Sequence, residues 1–264
     1  MTTKTNIAEQ AAAKIREAIS SGKTINPLRD VIGTDDLDLA YEIQRINHQP
    51  RLAAGARSVG CKIGLTSEAV QAQLGVDQPD YGVLFDDMEV LHGAVVPWSE
   101  LMQPKAEAEV AFVLKQDLPD TSITTAELIS AVDYALASIE IVGSRIENWN
   151  IKITDTIADN ASASHFVLGH RPVKLEAIDL INCGVKVYKN GELASEGKGA
   201  ACLGSPITAL MWLAKTMARL GNPLKAGDIV LSGALGPMVP VEPGDEVKAV
   251  FDTLGEVRVR FGKG

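Results

Sequence analysis

The sequence predicts an α+β chain: a helical N-terminal region (1–78) followed by a larger β-rich region (79–264). Three observations carry that prediction. Apolar residues recur at helical spacing through the first third, and from about residue 80 they gather into strand-length runs separated by turn residues. The runs do not alternate regularly with helices, which disfavours a doubly wound parallel sheet. With 46% hydrophobic and 22% charged residues, the 264-residue chain has the means to build a core and is not of disordered composition.

The elements follow in order. Ile7, Ala11, Ile15 and Ile19 mark one face of a first helix, with Gly22 as its stop. A second helix starts after Thr34, with Asp35 and Asp36 in its first turn and Leu39, Ile43 and Ile46 as its stripe; Pro50 ends or kinks it. Thr66 is an N-cap for a short helix carrying Val70 and Leu74, closed at Gly75. Ala106–Leu114 is strand-like. Thr124 and Glu127 form a capping box opening a helix through Leu128, Val132 and Leu136, and Ser138–Val142 is another buried strand. Asn190-Gly191 makes a hairpin beside the alternating Val185 and Val187. Ser205-Pro206 opens a helix through Leu210, Leu213 and Met217 to Gly221. Strands at 229–232, 247–251 and 257–261 close the chain.

Twenty-five basic against thirty-four acidic residues leave a net charge of −9, which argues against nucleic acid or an anionic membrane as partner. No apolar run of about 18 residues offers a membrane span, and the N-terminus lacks the apolar stretch of a signal peptide. Cys61, Cys183 and Cys202 are widely spaced and form no C-x-x-C pair; they read as buried free thiols suited to the cytoplasm. The four histidines have no metal-binding spacing, and no G-x-G-x-x-G, P-loop or G-x-S-x-G is present.

Chemistry concentrates elsewhere. On a strand, Glu107 and Glu109 point the same way, about 7 Å apart. Like charges on an apolar strand must shift their pKa, stay exposed or bind a cation. Glu140, inside the apolar run Ser138–Val142, adds a third carboxylate. The three make a hard oxygen set suited to Mg²⁺ or Mn²⁺ rather than zinc. The competing readings are an exposed polar strand face for the pair and a salt bridge to Arg145 for Glu140. Lys62, between apolar neighbours and followed by Ile63-Gly64, is placed for partial burial at a strand end, either as an acid–base group or as a snorkelling lysine. Asp80 lies on a turn; burial would raise its pKa and make it a general acid, although turn aspartates are common. The small polar stretches Asp155–Ser162 and Leu231–Pro237 could present hydroxyls and backbone N–H groups to a carboxylate, or could be ordinary turns.

Taken together, Pro27–Asp30, Gly60–Thr66, Leu74–Gly82 with Leu84-Phe85, Ala106–Glu109, Glu140 with Gly143–Arg145, Asp155–Ser162 and Gly233–Met238 resemble the 2-keto-4-pentenoate hydratase family of the fumarylacetoacetase-like superfamily, over nearly the whole chain. The resemblance implies a fumarylacetoacetase C-terminal-like fold, with curved mixed sheets rolled into a barrel-like core and helices outside. It implies a divalent metal, Mg²⁺ or Mn²⁺, on Glu107, Glu109 and Glu140, and acid–base roles for Lys62 and Asp80. Substrate contacts are expected at Leu84, Ser162, Ser232 and Gly233. The implied reaction is hydration of 2-hydroxypenta-2,4-dienoate, a small unsaturated 2-hydroxy/2-oxo acid, by a cytoplasmic homo-oligomer associated with a downstream aldolase or a decarboxylase. The alternatives are 4-oxalocrotonate decarboxylase, a hydratase of a longer diacid, and a non-catalytic partner subunit. The decarboxylase pattern has an apolar residue at the position of Asp80, which favours the hydratase. One departure is Ser205, where hydratases of this family carry a histidine; as a good N-cap it reads as a structural change.

Overall fold

The computed structural model describes residues 3–67, 71–72 and 76–264. The chain opens with α1 (Thr3–Ser21), the short α2 (Arg29–Ile32) and α3 (Leu37–Ala53). The stripe residues Ala11, Ile15, Leu39 and Ile43 are buried together, whereas Ile19, at the end of the predicted stripe of α1, is 60% exposed. Asp36 is not in the first turn of α3 but caps it, its carboxylate accepting a hydrogen bond from the Leu39 amide at 3.1 Å. Pro50 does not end α3, which runs three residues further; in the last turn a proline removes a single backbone bond. Of the short helix expected after Thr66, Val70, Leu74 and Gly75 lie outside the described residues.

Twelve strands among the described residues make two sheets. The larger contains β1 (Ser58–Gly64), β2 (Asp80–Phe85), β4 (Lys105–Leu114), β5 (Val132–Val142), β6 (Ala163–Leu168) and β9 (Ile229–Leu231), in the order β2-β1-β9-β4-β5-β6; β10 (Val239–Pro240) joins at β4. It is mixed: β1 and β9 run parallel and the other neighbours antiparallel. Its terminal strands β2 and β6 come back into contact, so the sheet curls on itself. The smaller sheet has the order β3-β12-β11-β7-β8, from β3 (Val95–Val96), β7 (Gly184–Lys189), β8 (Glu192–Lys198), β11 (Glu246–Phe251) and β12 (Gly255–Phe261). The β7–β8 hairpin turns at Asn190 and Gly191, both at positive φ, as the sequence predicts.

Residues 58–64, inside the region expected to be helical, form a strand of the larger sheet. The helix expected through Val132 and Leu136 stops at Ala131 as α4 (Thr125–Ala131), behind the predicted Thr124–Glu127 capping box. From Val132 the chain is β5, paired with β4 over its whole length. Tertiary pairing overrides a short helical period there, because every second residue of β5 finds a buried face. After α5 (Ile153–Ala158), α6 (Pro206–Arg219) begins as predicted, the Ser205 hydroxyl accepting from the Ile207 amide at 3.3 Å.

Three packed layers result. Ala106, Ala108, Val110 and Phe112 on one face of β4 join Leu210 and Leu213 of α6 and Val247 and Val257 of the smaller sheet. The N-terminal helices close over Ile153 and Ile157 of α5. Inside the curl, Leu84, Phe85, Ala111, Leu136, Phe166 and Leu231 form a separate apolar cluster. All three cysteines are free and buried.

Candidate metal centre and active site

The opposite face of β4 carries Glu107 and Glu109. Register places Glu107 directly across from Glu140 of β5, and Glu109 across from Ser138, so three carboxylates share one patch inside the curl. One oxygen from each lies within 4.8 Å of the others. Glu107 lines a cleft of about 920 Å³, and Glu109 and Glu140, both fully buried, lie one layer deeper. Glu109 Oε2 accepts the Gly233 amide at 2.8 Å. Among the described residues, none donates a hydrogen bond to Glu109 Oε1 or to either Glu140 oxygen. Buried carboxylate oxygens without donors are costly unless protonated or bound to a cation. An all-oxygen trio with such unmet oxygens fits a hard divalent ion.

Lys62, on β1, enters the same patch and is wholly rather than partly buried. Its Nζ donates to the Ala161 carbonyl at 2.8 Å and lies 3.2 Å from Glu140 Oε1, an ion contact without hydrogen-bond alignment. The competing reading of Glu140, a salt bridge to Arg145, does not hold, because Arg145 is turned to Asp159, donating from Nε at 2.5 Å and from its amide at 2.9 Å. Asp80 is the first residue of β2, opposite Gly64 of β1, and is buried rather than exposed on a turn. Gly64 is required there, because a Cβ at that position would strike the Asp80 carboxylate.

Electrostatics follow from this crowding. Burial raises the pKa of Asp80, although Lys62 and Thr156 pull it down. Burial, and then the neighbouring Glu140 and Glu107, push Glu109 well above the usual carboxylate range. Glu140 is pushed up to about 7 by burial, against the pull of Lys62. Burial alone would lower Lys62, but Glu140, Asp80, Glu107 and Glu109 together outweigh it and its pKa is raised. The site therefore holds more carboxyl groups than one ammonium can balance, which is what a dication relieves.

The segment Asp155–Ser162, expected as a loop, is α5 followed by a tight turn whose Asn160, Ala161 and Ser162 all have positive φ. Three consecutive non-glycine residues in that region store strain. Asn160 holds the turn, its side chain accepting from the Val83 amide at 2.8 Å and donating to the Val83 carbonyl at 3.0 Å. The turn aims the Ala161 carbonyl at Lys62 and sets Ser162 on the cleft wall, 3.2 Å from the Thr156 hydroxyl. From the N-terminal layer Arg29 clamps α5, its amide donating to Asp155 at 2.8 Å and its guanidinium at 2.5 Å. Thr156, Asp159 and the Ala161 carbonyl had no sequence signal beyond the polar character of their segment.

Of the expected substrate contacts, Ser162 lines the cleft, and three do not. Leu84 sits in the apolar cluster inside the curl, since β2 continues past Asp80 into the packed interior. The Ser232 hydroxyl is fully buried and occupied, accepting from Val110 N and donating to the Gly233 carbonyl. Gly233 acts through Glu109; at φ +95 its missing Cβ leaves room for Thr66.

The family model of the fumarylacetoacetate hydrolase C-terminal region matches residues 61–261, which include the curled sheet and the acidic trio, and the chain belongs to that family. Within it, the chain stands among the 2-keto-4-pentenoate hydratases. It is 56% identical to 2-keto-4-pentenoate hydratase 1 of Dechloromonas aromatica (strain RCB) over 253 residues, covering 96% of each chain. Identity to the 2-keto-4-pentenoate hydratase of Burkholderia vietnamiensis is 55%, covering 95% of each. Among solved structures, 4-oxalocrotonate decarboxylase from Pseudomonas putida G7, complexed with magnesium and adipate, superposes with a TM-score of 0.93 at 36% identity, covering 99% of each chain. No helix among the described residues is long and apolar enough to cross a membrane.

Proposed function

We propose that the protein is a divalent-metal-dependent hydro-lyase that adds water to 2-hydroxypenta-2,4-dienoate, giving 4-hydroxy-2-oxopentanoate in the meta-cleavage breakdown of aromatic compounds. The observation that carries this reading is the convergence of Glu107, Glu109 and Glu140, with unmet oxygens, on a cleft that also holds Lys62 and Asp80. Identity above 50% to several hydratases supports it over the decarboxylase, whose matching fold alone does not separate the two reactions.

Glu107, Glu109 and Glu140 would hold the ion, Mg²⁺ or Mn²⁺ by donor chemistry. When bound, such an ion supplies a sink for negative charge on the substrate's carboxylate and 2-oxygen. Asp80, whose pKa burial raises, is the group that gives its proton to carbon 5. The C4–C5 π electrons form the new C–H bond, the double bond moves to C3–C4, and the enol O–H loses its proton to leave a ketone. Water oxygen then bonds to carbon 4 and carbon 3 takes a proton, so one water is consumed overall. Lys62 is the partner of the 2-oxygen, where a cation favours the charge that gathers there. Thr156 and Ser162 offer hydroxyls on the cleft wall, Gly233 steadies Glu109, and Leu84 and Ser232 support the site from beneath.

The same reading makes the protein a cytoplasmic homo-oligomer working with an aldolase that consumes its product, the N-terminal helices α1 to α3 covering a catalytic region that begins at β1. Assays with the dienoate and with 4-oxalocrotonate, with and without EDTA, test it. Water addition lost in EDTA and restored by Mg²⁺ or Mn²⁺ is the expected result. Release of carbon dioxide from 4-oxalocrotonate without hydration of the dienoate would overturn it.

A further inference from the structure

Two cations lining the cleft, Lys105 and Lys198, have no part in the chemistry above, and of these only Lys105 rises from the strand that carries Glu107 and Glu109. Lys105, two residues before Glu107 on the same face of β4, lines the cleft with its ammonium 4.2 Å from the centre of the Trp149 ring. Among the described residues it makes no hydrogen bond and no ion pair, and the one carboxylate near enough to influence it is Glu107. Lys62, by contrast, is surrounded by Glu140, Asp80, Glu107 and Glu109. The two ammonium groups thus stand at opposite ends of the carboxylate patch, the proton donor Asp80 at the Lys62 end and Lys105 at the end where β10 pairs with β4.

The platform beneath Lys105 is built. Trp149 has φ +54 and donates from Nε1 to the Gln103 carbonyl at 3.0 Å. Gln103 in turn donates to the Ser144 and Ile146 carbonyls at 2.8 and 2.7 Å and accepts the Asn148 amide at 2.8 Å. A cation held on a fixed aromatic face with its other N–H groups free is prepared for an anion. The cleft wall also carries the apolar Val142, Ile151, Met238 and Pro240.

We infer that Lys105 is a substrate-positioning residue that binds the carboxylate of the 2-hydroxy acid, fixing the molecule so that its diene carbon lies toward Asp80. This rests on the function proposed above. It gives the cleft a direction: the carboxylate end at Lys105 and Trp149, the 2-oxygen over the acidic trio and toward Lys62, and carbon 5 at Asp80.

The test compares wild type, Lys105→Met and Lys105→Arg. Loss of one charge-assisted contact to a carboxylate corresponds to about 10- to 100-fold. Lys105→Met is expected to raise KM for the dienoate by that factor and to weaken oxalate binding to the metal-loaded protein alike, with kcat less affected; Lys105→Arg recovers most of the loss. Titration of the metal-free proteins with Mn²⁺ supplies a second reading. Removing a positive charge beside Glu107 leaves Mn²⁺ affinity equal or tighter, whereas a collapsed site weakens it. Unchanged KM and oxalate affinity, or a loss confined to substrates bearing a second carboxylate, would overturn the assignment. A wild-type protein inactive on the dienoate would instead count against the function it rests on.

Discussion

Glu109 is the residue on which the site turns. It is fully buried, accepts one backbone amide and leaves its other oxygen unmet beside two further carboxylates. Glu109→Gln removes a charged oxygen donor while keeping shape and the Gly233 bond. The expected outcome is a fall in hydration of at least about a thousandfold with lost Mn²⁺ affinity and an unchanged fold, read by kinetics, metal titration and circular dichroism. Asp80→Asn separates proton transfer from metal binding. Hydration should slow by about a hundredfold or more while Mn²⁺ affinity changes far less. Equal losses of the two would mean that Asp80 only maintains structure. The acidic trio was partly legible in the sequence: the residues alone left an exposed strand face and a salt bridge open, and the family resemblance singled out the set. The partner of Glu140 was not legible: Arg145 is near in sequence, but Lys62 is near in space.

At the level of elements, the site is a property of β4 and β5 in register, with β1 and the strained turn after α5 closing in. Antiparallel pairing places Glu107 opposite Glu140, and a slip of one residue would turn one set of carboxylates away. The turn 159–162 depends on Asn160, whose side chain pairs with both backbone groups of Val83 and lies 3.1 Å from His48 Nε2. Asn160→Ala should destabilise the protein by about 1–3 kcal/mol in urea unfolding. It should also lower kcat more than metal affinity, because the carbonyl that holds Lys62 belongs to this turn. An unaltered stability would mean that the turn is held by Arg145–Asp159 alone. Caps and the Asn-Gly hairpin were readable locally, because each is decided within a few residues. The first half of β5 was not: Val132 and Leu136 satisfy a helical period as well as a strand, and only the neighbouring β4 decides between them.

Across the molecule, the packed layers bury Glu109 and Glu140 beneath the cleft, and that burial ties metal, protons and stability together. Glu140 rises from 4.5 to about 7 on folding, so between those values the folded protein holds more protons than the unfolded chain. Stability of the metal-free protein therefore falls as pH rises through that window, and Glu109, raised as well, adds to the fall. Calorimetry of the metal-free protein checks this: the Tm should drop by several degrees from mildly acidic to neutral pH. Added Mn²⁺ should restore it, more strongly at higher pH because the ion displaces protons. A Tm insensitive to both pH and Mn²⁺ would contradict a buried, metal-binding trio.

The sequence by itself determined the local features: the helix stripes and caps, the hairpin, the acidic residues on alternate strand positions, and a set of motifs that points to one family. These are short-range matters, set by residue type and spacing along a few turns or strand steps. Only the tertiary structure decided which charges meet, where Leu84 and Ser232 go, and that β1 lies in the sheet beyond the helical region. Those outcomes depend on strand order and on the curl of the sheet, which bring together segments a hundred residues apart and are fixed by packing of the whole chain.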